Sequence, residues 1–553
     1  MSKKYLSMNK QLFKISLGAI IMMLASFSFT SCKKFLEVTP KQQVSDATLW
    51  TSSENADLFL NNIYASIPSM ATDDPWDNYS DNSLNGQAGR VSTNVYGPGL
   101  YIPSNTPSKW NQYTNIRKCN LFIERATASD LPESWKKVRL AEARFLRAYF
   151  YSLLWTYYGG VPIITDVLNL TEQGDAVFRA RNTSEETADF IISECAAIAP
   201  DLPINAESGR ATRGAALTLQ GSTELFNAGA LKNPNNDLSR WEKAATTFQK
   251  VIDLNKYSLF SDYGTLFYEE NNNNVEVIFS RQHLGGTSLA NYVGQIGPRF
   301  VNGSLTGWGH LDPTQDIVDE YAMANGLPIT DPASGYDPQN PYANREKRFY
   351  ESIVYDESEW LGATMIMKQG VGSLNATDLN NSSISTRTGY YVRKMVNPKY
   401  AGAQDNGNSA NFIIFRYAEV LLSYAEARNE ATGPDQSVYD AINEVRDRSD
   451  LPDLTPGLNQ ADMRKAILRE RRVELAFEDK RLPDLLRSRL AEVKLNGTVH
   501  AIKIDIVGGN TVYTVVPAGG GAKAFDPAKN YLLPIPQSAI DVNPQLEQNP
   551  NYQ

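Results

Sequence analysis

At 553 residues the chain is too long for one ordinary domain of roughly 100–200 residues, and its 42% apolar content excludes general disorder. The formal net charge is −9, with no basic cluster in the body, which argues against nucleic acid, whose binders concentrate Lys and Arg. Tyr (28) outnumbers Phe (21), and there are 8 Trp; such rings suit surfaces that touch polar ligands and serve equally as core.

The first 32 residues carry a strong signal. Lys3, Lys4, Lys10 and Lys14 precede an uncharged apolar run from Ile15 to Phe29, a basic region followed by a hydrophobic one too short for a comfortable membrane span. Small residues then lead into Cys32, and the stretch resembles a bacterial lipoprotein signal. Residues 1–31 are read as the signal peptide and Cys32 as the lipid-bearing (palmitate-type) first residue of the mature chain. Removing those residues deletes four lysines and no acid, so −9 becomes −13. Cys119 and Cys195 then remain, and are read as buried free thiols. Residues 32–44 form the anchor and tether.

From residue 45 helical patterns dominate. Thr51-x-x-Glu54 reads as a capping box opening a helix through Leu58, Phe59, Ile63 and Tyr64. Residues 68–108 are instead rich in Asp, Asn, Gly, Pro and Ser, with Trp76, Tyr79, Tyr96 and Tyr101 interspersed. Helical periodicity returns over Trp110–Ala128 and Glu133–Tyr158 and stops at Gly159-Gly160. Thr183-x-x-Glu186 opens another helix, 211–230 is helical, and Ser239-x-x-Glu242 reads as the cap of the next. In that helix Trp241, Ala244, Ala245, Phe248 and Ile252 share a face, resembling a tetratricopeptide hairpin of about 34 residues. From 270 to 412 the pattern is irregular, with strand-like pieces at Val275–Phe279 and Tyr390–Lys394. Polar loops this long inside a compact protein are usually functional. Helices are expected again at 413–431, 436–448 and 460–478, and strands near 498–506 and 511–516. Residues 45–553 are read as a single large domain with a helical scaffold at approximately 45–67, 109–260 and 413–490 and loop regions at approximately 68–108 and 270–412.

The best catalytic candidates are Glu470 and Glu474, four apart beside Met463, Ile467 and Phe477, and Glu419 with Glu426 in a second apolar stripe. Arginines such as Arg416, Arg469, Arg471, Arg472 and Arg481 lie nearby, and buried carboxylates need such partners. A structural role is therefore expected, and no catalytic residue is assigned. His283, His310 and His500 are scattered, so no metal site is assigned. No H-E-x-x-H, G-x-S-x-G or phosphate-loop motif occurs, and no cofactor is expected. The acids at Asp73-Asp74, Asp77, Asp331 and Asp337 lack EF-hand spacing.

Four ordered stretches carry a resemblance. Arg144-Phe-Leu-Arg-Ala-Tyr-Phe-Tyr151 with Tyr158-Gly-Gly-Val-Pro-Ile163 resembles the first signature of SusD/RagB-type outer-membrane lipoproteins. Arg416-Tyr-Ala-Glu-Val-Leu-Leu-Ser-Tyr-Ala-Glu-Ala427 with Asn429-Glu430 resembles the second. Ile467-Leu-Arg-Glu-Arg-Arg-Val-Glu-Leu-Ala-Phe-Glu478 with Arg481 and Asp484-Leu485 resembles the third. Tyr531-Leu-Leu-Pro-Ile-Pro536, Asn543-Pro544 and Gln548-Asn-Pro550 resemble the C-terminal signature. The resemblance implies a mostly α fold: tetratricopeptide-like helix pairs with large loop-rich insertions and a few short strands. It also implies a non-catalytic protein on the outer face of the outer membrane. Such a protein captures glycans, less often peptides, and hands them to a TonB-dependent SusC-like import barrel. A lipid-anchored glycoside hydrolase and a protein-binding adaptor are the alternatives.

A sugar ring has an apolar face and a rim of hydroxyls, and is held by a flat aromatic ring with amide, carboxylate and guanidinium groups around it. Residues 68–108 offer Trp76, Tyr79, Tyr96 and Tyr101 with Asp73, Asn78, Asp81 and Arg90. Residues 281–310 offer Tyr292 and Trp308 with Asn291 and Asn302. Trp76 and Trp308 lack apolar sequence neighbours and are expected to be the main stacking rings.

Overall fold

The computed structural model describes residues 46–70, 74–285, 292–380, 385–400 and 408–552. Cys32, the signal region, Asp73, Asn291 and the side chain of Tyr292 lie outside the described residues. The chain divides into two compact units, Met1–Ala56 and Asp57–Gln553. In the first, α1 (Asp46–Leu49) precedes the opening of α2 (Ser53–Tyr64). That helix starts one residue later than the Thr51 box implies, because Ser52 Oγ accepts the Asn55 N–H at 3.3 Å.

The second unit is an array of helices in which each packs on the next. It runs through α3 (Gln112–Ala128), α4 (Glu133–Tyr158), α5 (Ser184–Ile198), α6 (Arg213–Ala228) and α7 (Leu238–Ile252). It then continues across the long insertion into α8 (Tyr417–Thr432), which packs on α7, α9 (Gln436–Arg448) and α10 (Gln460–Glu474). A short α11 (Arg481–Arg487) follows. This is the expected mostly α, tetratricopeptide-like scaffold, in which neighbouring helices bury what a single hairpin cannot.

Local chemistry explains the boundaries. Thr183 and Glu186 form the reciprocal capping box at α5. At α7 the cap is Asp237, accepting from Ser239 N–H, rather than Ser239 itself. Helix α4 ends at Gly159 with φ 71°, and a Cβ on Gly160 would fall 2.0 Å from Asn182 O, so the chain must turn there on glycines. The C-terminal signature closes over this corner. Leu533 N–H donates to Tyr157 O at 2.7 Å, and Asn549 Nδ2 donates to Tyr158 O and Leu533 O.

Two expected elements differ, one in type and one in length. Residues 412–416 are a strand, β6 (Phe412–Arg416), antiparallel to β2 (Val277–Arg281), and α8 starts only at Tyr417. All five residues of β6 are buried, and a fully buried strand has no alternation to distinguish it from a helix. Helix α10 stops at Glu474, and Phe477 and Asp479 take φ values of 67° and 60°, which turns Glu478 back into the interior. The tail strands extend into one hairpin, β7 (Gly497–Val507) with β8 (Asn510–Lys523). Cys119 and Cys195 are free and buried, and burial raises both thiols. No helix among the described residues is long and apolar enough to cross a membrane.

Candidate functional site

The two loop regions are zipped together, although more than two hundred residues separate them. Strand β1 (Ser83–Leu84) pairs antiparallel with β5 (Asp312–Pro313). Gly86 N–H donates to Gly309 O at 2.8 Å, Asn78 Nδ2 to His310 O at 2.7 Å, and Gln87 Nε2 to Trp308 O at 3.2 Å. The scaffold fixes this seam from beneath. Asp81 accepts from Arg481 at 2.7 Å and pairs with Arg472 at 3.0 Å. Burial alone would raise the Asp81 carboxyl, but the two guanidinium groups overrule it and hold the group well below the carboxylate range. Thus arginines of the third signature position the loop face, and Asp81 and Asn78 are internal struts.

Trp308 stands on this seam, half-buried, in a backbone that only glycine permits. A Cβ on Gly307 would lie 2.6 Å from Gly297 O, and Gly309 takes φ 59°. The Trp308 N–H donates to Gly294 O at 3.2 Å, so the triplet lies flat on the 294–298 backbone and the indole is its only side chain. Beside it β3 (Phe300–Val301) and β4 (Ser304–Leu305) form a hairpin with Asn302 exposed at the tip. Asn302 and Gly303, at φ 49° and 76°, are the two positive-φ residues that a type I′ turn requires. Gln87 and Arg90 are half-buried on the other side of the seam.

The remaining rings behave differently. Trp76 is 7% exposed and stacks on Tyr79 with centroids 5.0 Å apart. Tyr79 meets Tyr96 edge-on at 4.7 Å, and Tyr96 stacks on Tyr101 at 4.8 Å. Trp76 also packs against Tyr157 of α4 at 4.6 Å. The expectation that Trp76 lacks the neighbours of a core anchor is therefore corrected: its partners come from Tyr79, three residues on, and from a helix about eighty residues away. Asp74 organises the same loop, accepting from Tyr79 Oη at 3.1 Å and Ser92 N–H at 2.7 Å.

A model of the SusD family matches residues 275–552, half of the chain, and a second, described as starch-binding and associating with the outer membrane, matches residues 34–220. The chain belongs to the SusD family. A SusD-like protein of Formosa agariphila, P38, is 25% identical over 524 residues, covering 89% of this chain and 93% of its own. The crystal structure of a SusD-like protein from Bacteroides fragilis is 28% identical with a TM-score of 0.78, covering 92% of this chain and 99% of that one. A SusD-like carbohydrate-binding protein from the same organism is 26% identical with a TM-score of 0.75, covering 90% and 100%.

Within this SusD-family scaffold the candidate acid/base carboxylates are ion-paired. Glu474 meets Arg416 at 2.6 Å, Arg348 at 3.0 Å and also Arg448. Burial pushes its carboxyl up, but Arg448, Arg416 and Arg348 outweigh that and hold it far below its ordinary value, the reverse of what a general acid requires. Glu470 meets Arg348 at 2.6 Å and Arg446 at 3.1 Å, Glu419 meets Lys480 at 2.9 Å, and Glu426 pairs with Arg487. The partnering expected of these residues is observed. What sequence reading passed over is the Asn302-Gly303 turn, which carries a hairpin signature, and Gln87, which carries none.

Proposed function

We propose that this SusD-family chain is an outer-membrane lipoprotein, anchored through acylated Cys32, that captures a glycan and passes it to a TonB-dependent SusC-like barrel. The observation that carries the capture step is the presentation of Trp308. Its backbone is held on a glycine frame at the junction of two polar loops, where Gln87 Nε2 donates to the Trp308 carbonyl. A flat ring with an amide-bearing side chain beside it suits the apolar face and hydroxyl rim of a pyranose. The Bacteroides fragilis relative described as a carbohydrate-binding protein and the starch-binding description of one family model support the same ligand class. Trp76, Tyr79, Tyr96 and Tyr101 serve this face as its foundation, with Trp308 as the stacking ring.

Three measurements test the reading. Titration against a glycan panel should give saturable binding, and binding of peptides alone would overturn the glycan assignment. Gentle detergent extraction should co-purify a large outer-membrane barrel, since a lasting partnership needs an interface of at least about 1,000 Å². Cys32→Ala should release the chain into the soluble fraction, because stable anchoring takes more than one acyl chain. A variant that stays membrane-bound and lipid-labelled would overturn the anchor.

A further inference from the structure

A cavity of about 200 Å³ lies within the scaffold, walled by Tyr149, Trp155, Phe226 and Phe415 among others. Neither Trp308 nor any residue of the β3–β4 hairpin lines it. Its charged lining balances: Lys109, Arg471, Lys480 and Arg487 against Glu419, Glu478, Asp479 and Asp484. Six of these groups are paired. Arg471 and Arg487 hold Asp484 at 2.7 and 2.9 Å, Lys480 holds Glu419 at 2.9 Å, and Glu478 meets Lys394 at 2.7 Å and Arg416 at 2.6 Å.

Two groups are left over. Lys109 makes no ion pair among the described residues, and its ammonium stands 4.1 Å from the centre of the Trp76 ring. Asp479, held in a left-handed conformation, has an Oδ1 without a hydrogen-bond partner. Burial pushes Lys109 down to about 8 and raises Asp479, so the charged form of each is disfavoured despite the other's presence.

We propose that this cavity is a second binding site, for a small zwitterion with a large apolar side chain, of the class of an aromatic or branched α-amino acid. The ligand carboxylate would meet Lys109 and its ammonium Asp479, while the side chain fills the aromatic part. A balanced lining calls for a ligand of zero net charge. A free sugar ring also has none, but it carries hydroxyls on every side and would leave several unpaired against Trp155, Phe226 and Phe415. A zwitterion keeps both polar groups at one end. Ser152, Thr156, Ser222 and Pro483 are among the half-buried lining residues of the cavity. This site goes beyond glycan capture and does not depend on it.

The test is calorimetric titration of the detergent-purified protein with L-tryptophan, L-leucine and glucose, together with tryptamine and indole-3-propionate, which each lack one charge. The amino acids should bind saturably, and each singly charged analogue at least tenfold more weakly. Lys109→Met should weaken amino-acid binding at least tenfold. Ser222→Phe, which adds bulk to the cavity wall without removing a charged group, should abolish it even if Lys109→Met proves unstable. Trp308→Ala should leave it unchanged. No saturable binding of either amino acid, glucose binding in their place, or unchanged affinity in Ser222→Phe would each overturn the proposal.

Discussion

Two regions of this molecule are rich in polar and aromatic side chains, and they use them in opposite ways. Where α8, α10 and the turn after α10 meet, five carboxylates (Glu276, Glu346, Glu470, Glu474 and Glu478) interlock with Arg348, Arg416, Arg446, Arg448 and Lys394. These groups are nearly inaccessible to water. On the loop face a glycine frame leaves one tryptophan half-buried, with the Gln87 amide on its carbonyl. A polar side chain in the first region is there because its partner is there. In the second, Trp308 packs less fully than its size would permit.

The contrast is broken most forcefully in the ion-pair network. Glu474→Ala strands Arg416, Arg348 and Arg448 together, and removing one partner of a buried pair costs about 3–5 kcal/mol. The denaturant midpoint should fall accordingly, with an unchanged denaturant slope. The effect depends on pH in a defined sense. Because Glu474 is held below its ordinary value of 4.5, the folded state takes up its proton at lower pH than the unfolded state. Its stabilisation is therefore complete above about pH 5 and drains away as the pH falls below that. Glu474→Gln should accordingly approach the parent protein in acid; a constant difference from pH 7 to pH 3 would refute the assignment.

Trp76→Ala comes next. Truncating a buried Trp costs about 3–5 kcal/mol, here by unstacking Tyr79 and Tyr157, and the larger loss should come from Glu474→Ala because charges are stranded. Thermal unfolding should show the drop, and any loss of glycan affinity in Trp76→Ala should follow from the loosened loop. A variant of unchanged stability that has lost its ligand would move Trp76 to the binding surface.

Trp308→Ala is the converse case. A stacking ring contributes on the order of 1 kcal/mol or more, so glycan affinity should fall at least several-fold, while the melting temperature moves by only a few degrees. Gly307→Ala sharpens the point. It leaves the indole in place but drives a methyl group against Gly297 O, so it should weaken glycan binding by tilting the frame. Affinity unchanged in both variants, for a glycan the parent binds, would place the ligand elsewhere.

Much of the scaffold was legible in the sequence. Glu133–Tyr158 and Gln436–Arg448 have the boundaries their periodicity and flanking residues imply, and the Thr183–Glu186 box is formed as its spacing requires. Less was legible where several acceptors compete for one helix start. Ser52 and Asp237 took the capping roles that the spacing assigns to Thr51 and Ser239, since local geometry one or two residues along decides which oxygen reaches the free amide. The Phe412–Arg416 run was misread because a strand buried on both faces and a buried helical segment share the same unbroken apolar pattern.

By itself, the sequence determined the helical repeat, the family and the division into scaffold and loops, because these rest on local periodicity and on signature residues close together in the chain. Only the tertiary structure decided which aromatic ring faces outward. Trp76 and Trp308 have equally polar sequence neighbours, but Trp76 meets Tyr157 across the fold while Trp308 is held over the 294–298 backbone by glycines. Burial is set by what long-range packing brings near, and no local window contains that information. The same holds for Lys109 and Asp479, more than three hundred residues apart, which became one site only when α10 and the loops before α3 closed around the same cavity.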